Sequence, residues 1–354
     1  MTTAPPFHCS YSPNIPELLR DLKISLALST YQAGKVVFLS TTDGVKMTQL
    51  PRNFGKAMGV AINGNKMAIA SKNELTIFKN SPSLARTYPN KPDTYDSLFL
   101  PRNTYYTGEL SLHDIAWTNK GLVAVNTIFS CLSTLSDEYN FDPIWQPPFI
   151  SDLHPEDRCH LNGMAVDNGE IKYVTALGDT NTYQGWREKK LNGGIVMEVP
   201  SGKVILDGLP MPHSPRVYDN KLYVLLSAIG ELIEVDPKTG TYETIVKIGS
   251  FARGMAKYGN YLFIGTSKLR HNTSSFKDLP IAKQSKAGIC VVYLPYKSII
   301  GQIDYQTSVE EIYDVQVLER IIRPNILNPN QDIHKLALSS PDNNYWAQET
   351  EEEE

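Results

Sequence analysis

The chain has 354 residues, of which 34 are Lys or Arg and 38 are Asp or Glu, so its formal net charge is -4. A chain of this length can bury a large core, and its balanced charge with no compact basic block argues against binding nucleic acid or an anionic membrane surface. No stretch approaches the roughly 18 apolar residues of a membrane span, and the first twelve residues have no signal-peptide pattern. We therefore expect a cytoplasmic protein.

The cysteines are few and widely spaced. Cys9, Cys131, Cys159 and Cys290 form no C-x-x-C pair. This usage is typical of reduced thiols rather than of a disulfide framework or a zinc knot.

In chain order, one unit recurs: a short apolar strand, a tight Asn/Gly/Asp turn and a second apolar strand. The copies are residues 26–40, which are degenerate, and then 56–71, 112–127, 160–177, 213–228 and 252–267. Self-similarity at a period near 50 residues indicates a radial or solenoid array.

The repeated segments are rich in Val, Ile, Tyr and Phe and are bounded by Gly, Asn, Asp and Pro, which is typical of strands. The sequence therefore predicts an all-β protein, a six-bladed β-propeller. The predicted blades are 24–50, 56–90, 112–148, 160–210, 213–249 and 252–308. Residues 310–319 are expected to return to the N-terminal blade and close the ring, which removes exposed sheet edges.

Seven blades remain an alternative, because the first copy is degenerate and residues 321–347 are unassigned. The predicted organisation is an N-terminal arm (1–23), the propeller (24–320), a C-terminal segment that packs on or closes the propeller (321–347) and an acidic disordered tail (348–354).

Propeller geometry brings two sets of residues to one mouth of the central channel, because inner strands start on the face where the loops between second and third strands return. The strand starts hold Met58, His113, Asp114, His160, Asn162, His213, Ser214, Arg216, Arg253, Tyr313 and Asp314. The loops are 126–130, 178–187 and 268–286. Such concave mouths with convergent polar groups are common ligand sites.

Three histidines from successive blades, His113, His160 and His213, could hold one divalent metal, zinc or similar, with an open position. They could equally share acid–base catalysis without a metal, or cap strands. The repeat places His160 two residues, and His213 one residue, before the position of His113.

The other candidates have two interpretations each. Asp114 could act as a base or orient a histidine, or it could bond a neighbouring blade. Trp186 and Arg187 offer a flat face beside a cation for a sugar, carboxylate or phosphate, or they staple a long loop. Arg216 and Arg253 could anchor an anionic substrate or satisfy carbonyl groups. A Cys159–His160 nucleophile is disfavoured, because neighbours on an extended strand point to opposite faces.

Five longer segments, residues 125–135, 147–166, 173–194, 211–232 and 310–324, together resemble an uncharacterised family of bacterial proteins, a domain of unknown function with a predicted propeller fold. The resemblance covers roughly residues 20 to 325, and it implies the fold and the functional face but no substrate. The SAIGEL segment departs from the family form SGTGEL at Ala228 and Ile229.

Residues 160–177 also have a fainter resemblance to six-bladed lactonases and NHL-type propellers. That resemblance implies a metal-ligand role only for Asn162. The acidic first-blade ligand of the lactonase pattern has no counterpart, because Glu17 lies outside the repeat.

Two classes of function remain open. The first is a hydrolase or lyase that acts on a small polar or anionic metabolite through His113, Asp114, His160 and His213, with Asn162, Trp186, Arg187, Arg216 and Arg253 binding the substrate. The second is a non-catalytic propeller that binds a metabolite or a partner enzyme and assists a biosynthetic pathway.

Overall fold

Six small antiparallel sheets surround a central channel, and each presents one inner strand to it. The computed structural model describes residues 4–269, 276 and 278–348. Each inner strand contacts the inner strands of the two neighbouring sheets, so the ring is continuous. The predicted six-bladed β-propeller is confirmed, and the seven-bladed alternative is wrong.

Every blade has four consecutive antiparallel strands, listed here from the channel outwards. Blade 1 contains Asp314–Glu319, Ile24–Thr30, Lys35–Ser40 and Thr48–Asn53; blade 2 contains Val60–Asn63, Lys66–Ala70, Glu74–Asn80 and Ser97–Tyr106; blade 3 contains Leu112–Thr118, Gly121–Asn126, Cys131–Thr134 and Asp142–Trp145. Blade 4 contains Leu161–Asp167, Glu170–Ala176, Gly194–Glu198 and Val204–Leu209; blade 5 contains Pro212–Tyr218, Lys221–Leu226, Glu231–Asp236 and Thr241–Lys247; blade 6 contains Phe251–Tyr258, Tyr261–Ser267, Gly288–Tyr293 and Ser298–Tyr305.

The C-terminal part of the chain closes the ring, as predicted. Asp314–Glu319 becomes the inner strand of blade 1 and pairs along Ile24–Thr30, from Ser29 opposite Asp314 to Ile24 opposite Glu319. The first blade therefore combines strands from both ends of the sequence. Opening the ring would expose the long edge of Ile24–Thr30, whose residues are all buried.

Two further segments extend the outer edges. Cys9–Tyr11 adds an antiparallel fifth strand to blade 6, and Pro324–Ile326 adds a parallel fifth strand to blade 2. Two helices, Asn14–Leu22 and Pro82–Arg86, and a hairpin of Ala337–Ser339 with Asn344–Trp346 complete the regular structure together with three short 3-10 turns. The turns are Gly185–Lys189, Leu294–Tyr296 and Asp332–Leu336.

Blade 2 is longer than its predicted limits of 56–90. The helix Pro82–Arg86 interrupts it, and its outer strand is Ser97–Tyr106. Pro82 stands in the first turn of this helix, where the missing N–H costs nothing. The sequence repeat could not reveal this insertion, because it covers only the two inner strands of each blade.

The core lies between the blades, where strands that are apolar on both faces pack against their neighbours. Phe38 of blade 1 stacks on Phe99 of blade 2 with ring centroids 6.5 Å apart, and both rings are buried. Burial of one such side chain contributes about 1.5–3 kcal/mol. No helix among the described residues has the length and apolarity to cross a lipid bilayer.

The inner strands are joined by a pattern that alternates around the ring. In blades 1, 3 and 5 a side chain accepts a backbone N–H from the next blade: Asp314 from Val60, Asp114 from Met164 and Ser214 from Gly254. In blades 2, 4 and 6 the equivalent residues are Gly59, Gly163 and Gly254. A Cβ on Gly254 would lie 2.6 Å from Asp314 Cα, and its φ is +76°, so this position requires glycine.

Candidate functional site

One residue before each of these positions, six side chains form the top ring of the channel. They are Met58, His113, Asn162, His213, Arg253 and Tyr313. Leu112 pairs with Asn126 in blade 3 and Pro212 pairs with Leu226 in blade 5, so His113 and His213 follow equivalent residues. The predicted one-residue offset between these two histidines is therefore wrong, because it was counted from the turns, whereas a β-bulge in blade 5 shifts the register.

His113 is held by two neighbours on one side of its ring. Its Nδ1 lies 2.9 Å from the carbonyl oxygen of Ser111 and 2.8 Å from Thr127 Oγ1, whose own hydrogen is donated to the carbonyl of Leu161 at 2.6 Å. A carbonyl can only accept, so Nδ1 carries the proton and Nε2 is the unprotonated nitrogen of the neutral ring.

His213 repeats this arrangement two blades further on. Its Nδ1 lies 3.0 Å from the Met211 carbonyl and 2.9 Å from Ser227 Oγ, which donates to the Ala252 carbonyl at 2.6 Å. The side chain is buried, and its Nε2 has no hydrogen-bond partner among the described residues.

His160 is oriented by a carboxylate instead. Its Nδ1 lies 2.9 and 3.0 Å from the two oxygens of Asp157, and Oδ2 of Asp157 also accepts the indole N–H of Trp186 at 3.1 Å. His160 Nε2 is left as the free ring nitrogen. The residue that orients a histidine is therefore Asp157, which the sequence analysis missed.

These groups pack into one cluster at the channel mouth. The His113 and His160 rings meet edge to face with centroids 4.7 Å apart, and His160 lies 4.4 Å from the buried Trp186 ring. Tyr313 lies 5.4 Å from His113, and the Arg253 guanidinium sits 4.4 Å above the Tyr313 ring.

The cluster forms a wall of a cavity of about 420 Å³, which we call the mouth pocket. Its lining residues are Tyr31, Met58, Ser111, His113, His160, Trp186, Arg187, Phe251, Arg253, Ser267, Lys268, Leu269, Phe276, Glu311 and Tyr313. Three of them are cationic, and one, Glu311, is anionic and forms an ion pair with Arg253 at 3.2 Å. The formal charge of the lining is therefore positive, since 3 − 1 = +2 with neutral histidines.

Burial and charge keep the ring histidines neutral. Desolvation lowers the pKa of His113 well below 6.5, and His160 and Arg253 lower it further. Desolvation also lowers the pKa of His213 well below 6.5, with Arg253 as the next cause. Burial raises the pKa of the Tyr313 hydroxyl well above 10, so this group stays protonated.

Trp186 and Arg187 both line the pocket, but the tryptophan is not the exposed platform that the sequence suggested. It is 1 % exposed and serves as the wall behind His160. The Arg187 guanidinium stacks on it at 4.5 Å, and its Nε donates to Gln184.

Asp114 and Arg216 lie below the mouth pocket and bind each other. Arg216 donates to the two Asp114 oxygens at 2.7 and 3.1 Å, and it also lies 3.9 Å from Asp314. Burial, with the nearby Asp114 charge as a further cause, raises the pKa of Asp314 to about 6, and Arg216 opposes the shift. The prediction that Asp114 orients a histidine and that Arg216 holds substrate is wrong, because each is occupied by the other.

Asn162 has a similar internal role. Its amide donates to the Pro212 carbonyl at 3.0 Å, and its oxygen accepts the Thr175 hydroxyl at 2.7 Å. Neither the mouth pocket nor an open channel surface uses this side chain.

The three predicted metal ligands divide between two levels, since His113 and His160 face the mouth pocket and His213 lies in the cavity below it. Within residues 4–269, 276 and 278–348, no three His, Cys, Asp or Glu side chains come close enough together to hold a metal ion. The divalent metal stays a prediction.

Cys159 is buried beside His160 in the sequence but packs into the core between blades 3 and 4. Burial raises the pKa of its thiol to about 12, and that of Cys131 likewise. Both thiols are protonated at neutral pH, so neither is a nucleophile.

Comparison with known proteins agrees with this fold. The chain belongs to the family described as a domain of unknown function (DUF4915), which it matches over residues 13–327. No curated protein matches it.

Two solved structures are similar in fold. One is the crystal structure of a nidogen/laminin complex (TM-score 0.55, 10% identity, 84% of this chain and 99% of the other chain). The second is a protein of unknown function from Bacteroides caccae (TM-score 0.50, 9% identity, 83% of this chain and 98% of the other). At these identities, both show the propeller architecture alone.

Proposed function

We propose that this protein is an enzyme that transforms a small anionic metabolite in the mouth pocket, a hydrolase or a lyase, by acid–base catalysis at His160 and His113. The observation that carries the proposal is the pair of imidazoles with fixed tautomers. Both Nδ1 atoms are engaged on the protein side. Both Nε2 atoms are left for a bound molecule.

The two imidazoles have different electrostatic partners, which separates their roles. Asp157 faces His160 and stabilises a positive ring, so His160 is the group that takes and returns a proton. His113 has no carboxylate partner and a lowered pKa, so it remains neutral and accepts a hydrogen bond from a substrate hydroxyl, amide or water.

The cationic lining explains the choice of substrate class. Arg253, Arg187 and Lys268 line the same pocket of about 420 Å³, which accommodates a small molecule rather than a polymer segment. The Arg253 side chain is 12 % exposed, and a guanidinium in such a setting forms strong hydrogen bonds to carboxylate or phosphate. We infer that Arg253 and Lys268 hold the anionic group beside the histidines.

The first experiment screens small carboxylates and phosphate esters for binding by thermal shift, followed by product analysis. A binder should lose affinity about tenfold or more in Lys268→Gln, because a charge-assisted contact contributes about 1.5–3 kcal/mol. Lys238→Gln, an exposed lysine in the outer turn of blade 5, is the matched control. A wild-type protein that binds none of these anions contradicts the proposal.

The second experiment tests catalysis on any compound that is turned over. His160→Gln should lower kcat about 10²–10⁴-fold, the usual contribution of a positioned base. His154→Gln is the matched control, because His154 lies on the same loop with its side chain 53% exposed and does not line the pocket. Binding without turnover would support the non-catalytic alternative instead.

A further inference from the structure

A second, smaller cavity lies directly below the mouth pocket, and we call it the floor cavity. It has a free volume of about 10 Å³, which is the space that one water molecule needs. His113, Arg253 and Tyr313 line both cavities, while His213 lines only the lower one.

Three of the floor-cavity residues carry buried polar atoms without a partner among the described residues: His213 Nε2, Tyr313 Oη and Arg253 Nε. A buried polar group that makes no hydrogen bond costs about 1–3 kcal/mol, and native proteins satisfy nearly all of them. Three such atoms from three different blades around one small cavity indicate a bound group that satisfies them together.

The chemistry of the three atoms selects the occupant. Arg253 Nε–H only donates, His213 Nε2 only accepts because Nδ1 holds the ring proton, and the Tyr313 hydroxyl can do either. A water molecule accepts from the arginine, donates to the histidine and bonds to the tyrosine. An anion would face the bare nitrogen of His213 and the carboxylates of Asp114 and Asp314, and a metal ion would face the Arg253 N–H.

We propose that one water molecule resides in the floor cavity, bound by His213 Nε2, Tyr313 Oη and Arg253 Nε, and that His213 positions Arg253 and Tyr313 through it. The occupant does not depend on the proposed function, whereas the consequence for the mouth pocket rests on it. His213 is then a positioning residue, and it sets the direction in which Arg253 presents its terminal N–H groups.

A high-resolution crystal structure of the unliganded full chain tests the occupant. We expect one density peak at hydrogen-bonding distance from all three atoms, unchanged when crystals are soaked in bromide. An empty cavity, an anomalous bromide peak or a metal peak would overturn the proposal. Nitrogen NMR of the wild-type His213 ring gives a second test, since a proton on Nε2 instead of Nδ1 would also overturn it.

The positioning role is tested with inorganic phosphate and citrate as probes. His213→Leu removes the acceptor at similar volume and should weaken the affinity of whichever probe binds about tenfold, with His213→Gln restoring part of it through its amide oxygen. Equal affinity in wild type and His213→Leu would overturn the positioning role. If wild type binds neither probe, the proposed anion site fails while the density still decides the water, and if His213→Leu does not fold, Tyr313→Phe with loss of the peak is the replacement.

Discussion

Asp157 binds His160 with both carboxylate oxygens and at the same time accepts the indole N–H of Trp186. One carboxylate from the loop before blade 4 therefore fixes both the proposed base and the wall behind it. The aspartate and the histidine both have positive φ values, +49° and +52°, so the chain turns sharply between them and brings them face to face.

Asp157→Ala tests this contact through stability. The change leaves two donors, His160 Nδ1 and Trp186 Nε1, without their acceptor, and Trp186 is 1 % exposed. We expect the free energy of unfolding to fall by about 1–3 kcal/mol in urea titrations. Asp152→Ala is the control, because that carboxylate is more than half exposed, and an equal loss in both variants would contradict the buried role of Asp157.

Asp314 predicts a pH dependence. Its folded pKa of about 6 lies above the ordinary 3.8, so its protonated form is favoured in the folded state. The corresponding stability is fully present below pH 3.8 and is lost as pH rises towards 6. The Tm of wild type relative to Asp314→Asn should therefore decrease from pH 4 to pH 6. Asp342→Asn, at an exposed aspartate, should show no such trend.

The buried histidine gives the opposite slope. The folded pKa of His213 lies well below 6.5, so the unfolded chain binds the extra proton first. This contribution is complete above pH 6.5 and is lost progressively as pH falls. Tm measured from pH 7 to pH 5 should fall less steeply in His213→Gln than in wild type. The exposed His334→Gln should follow the wild-type curve.

Gly254→Ala tests the close approach of two inner strands. The added Cβ would lie 2.6 Å from Asp314 Cα and would occupy a backbone conformation with φ of +76°. Gly259→Ala has a similarly positive φ of +55° but meets no atom within 4 Å, so it isolates the backbone strain. Gly254→Ala should cost about 1–3 kcal/mol more than the control in chemical denaturation. Equal losses would show that blades 6 and 1 are further apart.

Much of the fold follows from local pattern. The strand pairs of blades 4 and 5, the turns between them and the closing strand 310–319 were predicted from alternating apolar residues and turn residues, which act within a few positions of one another. The insertion in blade 2 and the fifth strands of blades 2 and 6 were not predicted. They depend on pairing between segments hundreds of residues apart, such as Cys9 with Tyr305.

The mouth of the channel was also predicted, because propeller geometry converts a position in the repeat into a place on one face. His113, His160, Trp186, Arg187 and Arg253 do line one pocket. Asp114, Asn162 and Arg216 do not, since an inner-strand side chain one position further along lies below the mouth and bonds the next blade.

By itself, then, the sequence determined the blades and the face, because hydrophobic period and turn chemistry are local. Only the tertiary structure decided what each polar side chain does. Asp157 meets His160 through two left-handed turns, Asp114 meets Arg216 across 102 residues, and Thr127 and Ser227 set the tautomers of His113 and His213. Hydrogen bonds depend on distances of a few tenths of an ångström, and those arise only when six blades close into a ring.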